Sequence, residues 1–308
     1  MSARELGLGL QSNKRPREYA ALAAIAEDAG FEVVTVFNDL FFQPALPALL
    51  EIARATERVR VGPSCLNPFT VHPVELAGQT AALDLESNGR AFLGLAAGAW
   101  LDRVGVDARR PVTAIGEAWE VVRRLLAGDD SGFEGERFSL APGSVLAYEP
   151  LRREVPLLVG TWSPQLTAFA AERADELKLG GSANPALVRL TRERLGAGTH
   201  VGVVAGAVTV VDEDDAAARE LARAEVALYL PVVAGHDPTV DVDLDAPEIS
   251  DEVLDLFAFA GSPERIAEHA EALFAAGADR VEFGTPHGID ERRGVELLDA
   301  QVLPRLRR

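Results

Sequence analysis

The chain has one cysteine, Cys65, in 308 residues. A lone thiol excludes an internal disulfide and any structural zinc site built on cysteines. No apolar run approaches the ~18 residues that a membrane-crossing helix needs. The opening segment MSARELGLGL lacks the basic and long apolar regions of a secretory signal, which predicts a cytoplasmic protein. No G-x-G-x-x-G or G-x-x-x-x-G-K-[ST] stretch stands where a nucleotide fold would need it. The histidines His72, His200, His236, His269 and His287 follow no ligand spacing such as H-E-x-x-H, so no metal is expected. Positive charge is in deficit, with 30 Lys plus Arg against 48 Asp plus Glu and a net charge of −18. Nucleic acid and anionic membranes are repelled by such a surface and are excluded as partners. Its self-repulsion predicts a halophilic protein, one suited to a high-salt interior.

The hydrophobic fraction, 48%, excludes a largely disordered chain. A single α/β barrel of roughly 250 residues or more suits this length better than two domains. The most informative stretch is residues 59–98. A β-branched run at 59–61 leads through Pro63, Pro68 and Pro73 into a helical pattern at 74–85, then an apolar run at 92–97 that ends in Gly98. That is a β-turn-α-β unit of a parallel sheet, whose chemistry sits in the loop leaving the strand's carboxyl end.

Further strands are expected at 6–10, leaving through Gln11, Ser12 and Asn13, and at 31–37, leaving through Asn38 and Asp39. Helices are expected from Pro16 to a close at Ala29-Gly30, at 46–56 and at 113–127. After Gly128 the regularity breaks into a hairpin-like insertion at 129–150. Strands follow at 155–159, 175–179, 201–211 and 280–283, with helices at 214–229 and 263–276. The second of these helices is started by Ser262 as N-cap and Pro263 at the first position. The acidic stretch 235–250 reads as a mobile loop. Eight strands favour a closed (β/α)8 TIM barrel, one domain over residues 1–308 with an insertion after the fourth βα unit.

In such a barrel every strand exit faces one mouth. Gly160, Thr161, Trp162 and Ser163 at a helix start offer N–H groups and hydroxyls to a phosphate. The same residues read equally as a plain cap followed by a first-turn proline. Cys65 has no sequence partner to activate it as a nucleophile. Asp39 is the only carboxylate directly at a strand exit in the first half of the barrel. Burial there would make it a proton donor, whereas a solvated or turn-capping side chain would not.

The pattern Asn67-Pro68-x-Thr70-x-His72-Pro73, followed by Gly89-Arg90 and the strand from Phe92 to Gly98, resembles the bacterial luciferase-like superfamily. Gly135-x-x-Phe138 and the Gly284-Thr285-Pro286-His287-Gly288 loop extend the resemblance. Within that superfamily the chain is most similar to the coenzyme F420-dependent reductases of methylene-tetrahydromethanopterin. The resemblance implies a hydride transfer from reduced deazaflavin to a small acceptor, a reduced pterin or folate of one-carbon metabolism. FMN is the alternative cofactor, and a homo-oligomer is expected. The implied cofactor contacts are Asn38, Ser64, Cys65, Asn67, Ala97, Gly98, Gly160, Thr161, Trp162, Ser163, Gly180, Gly181, Thr285 and His287, with a cis peptide at Ser64-Cys65. Two places depart from the family. A Glu at the end of strand one and an Asp after strand four are replaced by Gly9 and Ala99, so Asp39, Gln11 or Glu282 must substitute as catalytic groups. The rival readings are an FMN-dependent monooxygenase and a non-catalytic flavin-binding barrel.

Overall fold

The computed structural model describes residues 4–246 and 248–307, so the ends of the expected 1–308 domain and Pro247 of the acidic stretch lie outside the described residues. Strands β1 Glu5–Leu10, β2 Val33–Val36, β3 Arg60–Pro63 and β4 Leu93–Ala96 alternate with helices α1 Pro16–Ala29, α2 Ala45–Ala55, α3 Pro73–Glu86 and α4 Pro111–Ala127. Short strands β5 Phe133–Glu134 and β6 Ser139–Leu140 form an antiparallel hairpin in the insertion. There follow β7 Leu157–Gly160, α5 Pro164–Arg173, β8 Glu176–Gly180, α6 Pro185–Leu195, β9 Gly202–Val211, α7 Asp215–Ala227 and the short α8 Leu230–Val233. The chain ends with α9 Asp251–Phe257, β10 Ala258–Gly261, α10 Pro263–Ala276, β11 Arg280–His287, α11 Glu291–Leu297 and α12 Leu303–Leu306. Eight of these helices carry proline at one of their first two positions, where the missing N–H has no intrahelical partner to lose.

The parallel sheet runs β3-β2-β1-β11-β9-β8-β7-β4, and its two ends meet. Phe92 N donates to Val61 O at 3.1 Å, Leu66 N to Gly94 O at 2.9 Å and Ala96 N to Leu66 O at 2.9 Å, which closes the barrel of eight strands. Glycine is required at this seam: a Cβ on Gly94 would collide with the carbonyl oxygen of Pro63. The ninth strand, β10, was not legible in the sequence. It pairs with β9 from Val208 onward, beyond Gly206 where β8 leaves that edge. Its residues, Ala-Phe-Ala-Gly, carry little β propensity, so only the free edge of the long β9 selects them.

Alternate strand positions face helices and interior. Leu6, Leu8, Val34, Leu177, Leu179, Val281 and Phe283 join the large core between barrel and helices. The inward positions divide in two. Val33, Phe92 and Leu158, with Cys65 against them, form a small apolar cluster. On the other side Lys178, Arg280 and Glu282 are buried charges, with Glu176 partly buried beside them.

Several boundaries differ from those read in the sequence. β11 continues to His287 instead of stopping at 283, so Thr285 and His287 are strand residues. The helix expected at 214–229 ends at Ala227, and α8 follows it. The acidic stretch is tied down at Asp237, which is 3% exposed and accepts from Asn184 Nδ2 at 2.8 Å, while Val240, Val242 and Ile249 pack on the core near β10. In the insertion, the Gly-x-x-Phe pattern has a local cause. Glu117 of α4 accepts from the backbone N–H groups of Glu136, Arg137 and Phe138 at 2.7, 2.8 and 3.0 Å. A Cβ on Gly135 would lie 2.6 Å from the Glu117 carboxyl carbon.

Candidate functional site

At the carboxyl end of the barrel, Gln11 leaves β1 beside Asp39, which leaves β2. Gln11 Nε2 donates to Asp39 Oδ2 at 3.0 Å, and Gln11 Oε1 accepts from Ser12 N at 2.8 Å, which fixes the amide. Burial pushes the Asp39 carboxyl above its ordinary range; the Gln11 hydrogen bond and the Lys178 charge only moderate that. Phe41, at φ 71° and 74% exposed, and Phe42, 45% exposed, stand next to it in the same loop. Asn38 is taken up locally, since its Oδ1 accepts from Ala45 N at 2.9 Å and starts α2.

The floor is made by β3 and its neighbours. The Ser64-Cys65 bond is cis, the geometry that the resemblance implies. Burial pushes the Cys65 thiol up to about 11, so it is protonated and inert at neutral pH. Its sulfur packs against β7, where a Cβ on Gly160 would lie 2.9 Å from Sγ. Asn67, 4% exposed, accepts from Phe69 N, Thr70 N and Thr70 Oγ1 at 3.0–3.1 Å and so shapes the loop, with its Nδ2 turned to Gly98. Ala97 and Gly98 follow β4 directly, Gly98 at φ 82° and exposed. Outside this corner a cavity of about 400 Å³ is lined by Pro68, Phe69, Thr70, Val71, His72, Arg137 and Phe138, joining the loop to the insertion.

On the far side, Thr161 N donates to Lys178 O at 3.0 Å, and Thr161 Oγ1 accepts from Ser163 N at 2.9 Å. Ser163 holds the N-cap position of α5, yet its hydroxyl turns to Gln165 Oε1 at 2.8 Å and caps nothing. The first-turn N–H groups of α5 are therefore left for an anion. Trp162 packs between two apolar clusters and is half-buried. Gly180 is exposed, and Gly181, at φ 79°, donates to Gly206 O at 2.7 Å. Flat glycine edges at three strand exits and uncapped helix N–H groups suit a planar ring carrying a phosphate, so the residues present fit the cofactor that the resemblance implies.

Two of the expected residues, His287 and Glu282, are buried. His287 is fully buried, its Nε2 against Gly9 O at 3.1 Å and Phe283 O at 3.3 Å, and its Nδ1 lies 3.5 Å from Glu291. Thr285 Oγ1 donates to the same Glu291 at 3.3 Å. Glu282, 1% exposed, accepts from Thr35 Oγ1 at 2.8 Å and pairs with Lys178; Arg280 Nε lies 3.9 Å away. Burial opposes its charge, but Lys178 and then Arg280 hold its carboxyl below the ordinary value. Glu282 also explains Gly9: a Cβ there would begin 3.0 Å from Glu282 Oε1 and 2.7 Å from the Phe37 ring. The space of a strand-one side chain is filled from the neighbouring strands.

Lys178 was missed as a site residue. Its ammonium donates to Ser64 Oγ at 2.7 Å, pairs with Glu282 and lies 5.2 Å from the centre of the Phe37 ring. The signal was present, because Glu176, Lys178 and Gly180 alternate with buried leucines in a strand that is apolar on its other face. Charges at period two in a barrel strand point inward.

The Luciferase-like monooxygenase family model matches residues 2–280 of the chain. The 5,10-methylenetetrahydromethanopterin reductase of Archaeoglobus fulgidus is 27% identical, covering 92% of this chain and 94% of that one. The F420-dependent glucose-6-phosphate dehydrogenase of Rhodococcus erythropolis is 25% identical over 99% of both chains. Among solved structures, the coenzyme F420-dependent tetrahydromethanopterin reductase from Methanopyrus kandleri superposes with a TM-score of 0.82 at 24% identity, covering 99% of this chain and 100% of that one.

Proposed function

Because the chain belongs to the luciferase-like monooxygenase family and is similar over most of its length to F420-dependent enzymes, we propose that it moves a hydride between reduced coenzyme F420 and a small acceptor. The first candidate is the one-carbon unit of 5,10-methylenetetrahydromethanopterin, with methylene-tetrahydrofolate next. The observation that carries the reading is the Gln11–Asp39 pair at the open mouth. A bound deazaflavin supplies the hydride, which leaves the protein to position two rings, exclude water and manage one proton.

Asp39 manages the proton. Its raised pKa lets it hold a hydrogen at Oδ for the acceptor nitrogen that gains charge as the methylene group is reduced, and Gln11 keeps the carboxyl aimed. Glu282, enclosed and ion-paired, serves the floor instead. Ser64, Cys65 and Gly160 form the surface under the ring, Asn67 and Gly98 its edge, and the start of α5 receives the phosphate. Phe41 and Phe42 give the acceptor an apolar wall beside Asp39.

Titration of the apoprotein with F420 and with FMN, followed by turnover with methylene-tetrahydropterin and with glucose 6-phosphate, tests the reading. Tighter F420 binding and pterin reduction are expected. Tighter FMN binding with oxygen consumption would move the protein to the monooxygenases, and F420 binding without turnover on any acceptor would leave a flavin-binding barrel.

A further inference from the structure

We propose that Lys178 is the electrostatic positioning residue of the mouth: its ammonium, paired with Glu282 and donating to Ser64 Oγ, favours the anionic form of the ring bound there. The inference rests on the deazaflavin reading of the mouth and adds a charge preference to it.

The side chain is 5% exposed and Glu282 is 1% exposed. A buried amine stays charged only with a partner, and the carboxylate is that partner. The remaining contacts of the two groups are unequal. Glu282 is also bound by Thr35 Oγ1 and faced by Arg280, which itself bonds Glu176 at 2.7 Å. Lys178 faces one carboxylate, the Phe37 ring and Ser64, which is half-buried at the exit of β3. Two cations thus adjoin Glu282: Arg280 is turned to Glu176, with its Nε and Nη2 buried without a hydrogen-bond partner, and Lys178 is the one that bonds Ser64 at the mouth.

Glycines clear its path. A Cβ on Gly206 would lie 3.2 Å from Lys178 Cε. One on Gly180, the next inward position of β8, would meet nothing within 4 Å except Lys178 Cε at 4.0 Å, so the space above the lysine stem is open. The field of this ammonium reaches the two titratable groups at the mouth. It lowers the pKa of both Asp39 and Cys65, and at Cys65 its effect exceeds the opposing one of Glu282. An anion formed on a ring at this place is favoured in the same way, and Ser64, accepting from an ammonium, becomes a stronger donor to it.

The test uses the full chain and the oxidised deazaflavin, whose ring loses a proton with a change in absorbance. Affinity is measured by fluorescence quenching on both sides of that ionisation, with a thermal melt of each variant. The wild type is expected to bind the deprotonated ring more tightly. The double variant Lys178→Met/Glu282→Gln, in which no partner is orphaned, should reduce that preference by about tenfold, equivalent to one pKa unit. Lys178→Arg keeps the charge and should keep the preference. An unchanged preference in the double variant overturns the proposal, as does its loss in a folded Lys178→Arg protein if the double variant does not fold. Absence of deazaflavin binding by the wild type would instead overturn the functional reading.

Discussion

Asp39 is the residue on which chemistry and stability pull in opposite directions. Its folded pKa is raised chiefly by burial. The group therefore favours the fold below its unfolded pKa, and that contribution is lost as pH rises through the folded value. Asp39→Asn keeps the shape and the Gln11 hydrogen bond while removing a desolvated charge. Turnover should fall by about 10²-fold with little change in cofactor affinity, while the neutral-pH melting temperature rises and the melting temperature at acid pH stays put. Unchanged turnover at saturating reduced coenzyme would retire Asp39 as a catalytic residue. At the same scale, Arg90 of the Gly89-Arg90 pattern is a structural residue. Its guanidinium donates to the carbonyls of Ala53, Thr56, Val59 and Ser87 at 2.6–2.9 Å and so closes the end of α2. Lysine cannot reproduce that planar fork, and Arg90→Lys should cost about 3 kcal/mol in a urea unfolding experiment. A loss too small to measure would mean that these bonds carry no net energetic weight.

Among the elements, the insertion hairpin is tied to α4 by the Glu117 carboxylate, beside Arg124, which donates to Gly132 O at 2.9 Å, and the Arg110–Glu136 pair. Burial opposes the charge of Glu117, but the N–H groups of Glu136, Arg137 and Phe138 hold its pKa below the ordinary value. Its stabilisation is present above the unfolded carboxyl pKa and is lost as pH falls through the folded one. Amide exchange of residues 135–138 should accelerate on acidification in that window, and Glu117→Gln should show fast exchange already at neutral pH. Exchange that is slow and pH-independent in the variant would mean that other contacts hold the hairpin. The hydrogen bonds of the β3–β4 seam depend on a close approach that only glycine permits. Gly94→Ala sets a Cβ against the Pro63 carbonyl, a backbone atom that cannot swing away, and a loss of about 3 kcal/mol is expected in the same urea assay.

For the whole molecule, the net charge of −18 is the dominant long-range term. Salt at molar concentration shortens the Debye length to ~3 Å and screens that repulsion. The melting temperature should rise across a salt series, by about 2 °C or more for each kcal/mol gained in a chain of this length. A flat or falling series would remove the halophilic expectation. The barrel itself was legible because eight apolar runs, each followed by glycine, proline or a small polar residue, alternate with helical periods. The Gln11–Asp39 meeting was legible for the same reason, since both residues leave adjacent parallel strands. β10 was hidden because pairing with β9 outweighs its composition. Lys178 was hidden because a charge in a barrel strand reads as a solvated edge until the strand is known to be enclosed on both faces. His287 reads as a loop residue in the sequence, whereas β11 runs four residues further than its β-branched and aromatic positions indicate.

The proposed reaction is delivery of a hydride from a deazaflavin to a one-carbon pterin. It is tested most directly by an anaerobic single turnover, in which stoichiometric reduced F420 and protein are mixed with methylene-tetrahydromethanopterin while the coenzyme's visible absorbance is followed. Reoxidation of the coenzyme with equimolar methyl product is expected, slowed about 10²-fold in Asp39→Asn. Coenzyme that stays reduced until oxygen is admitted would contradict it.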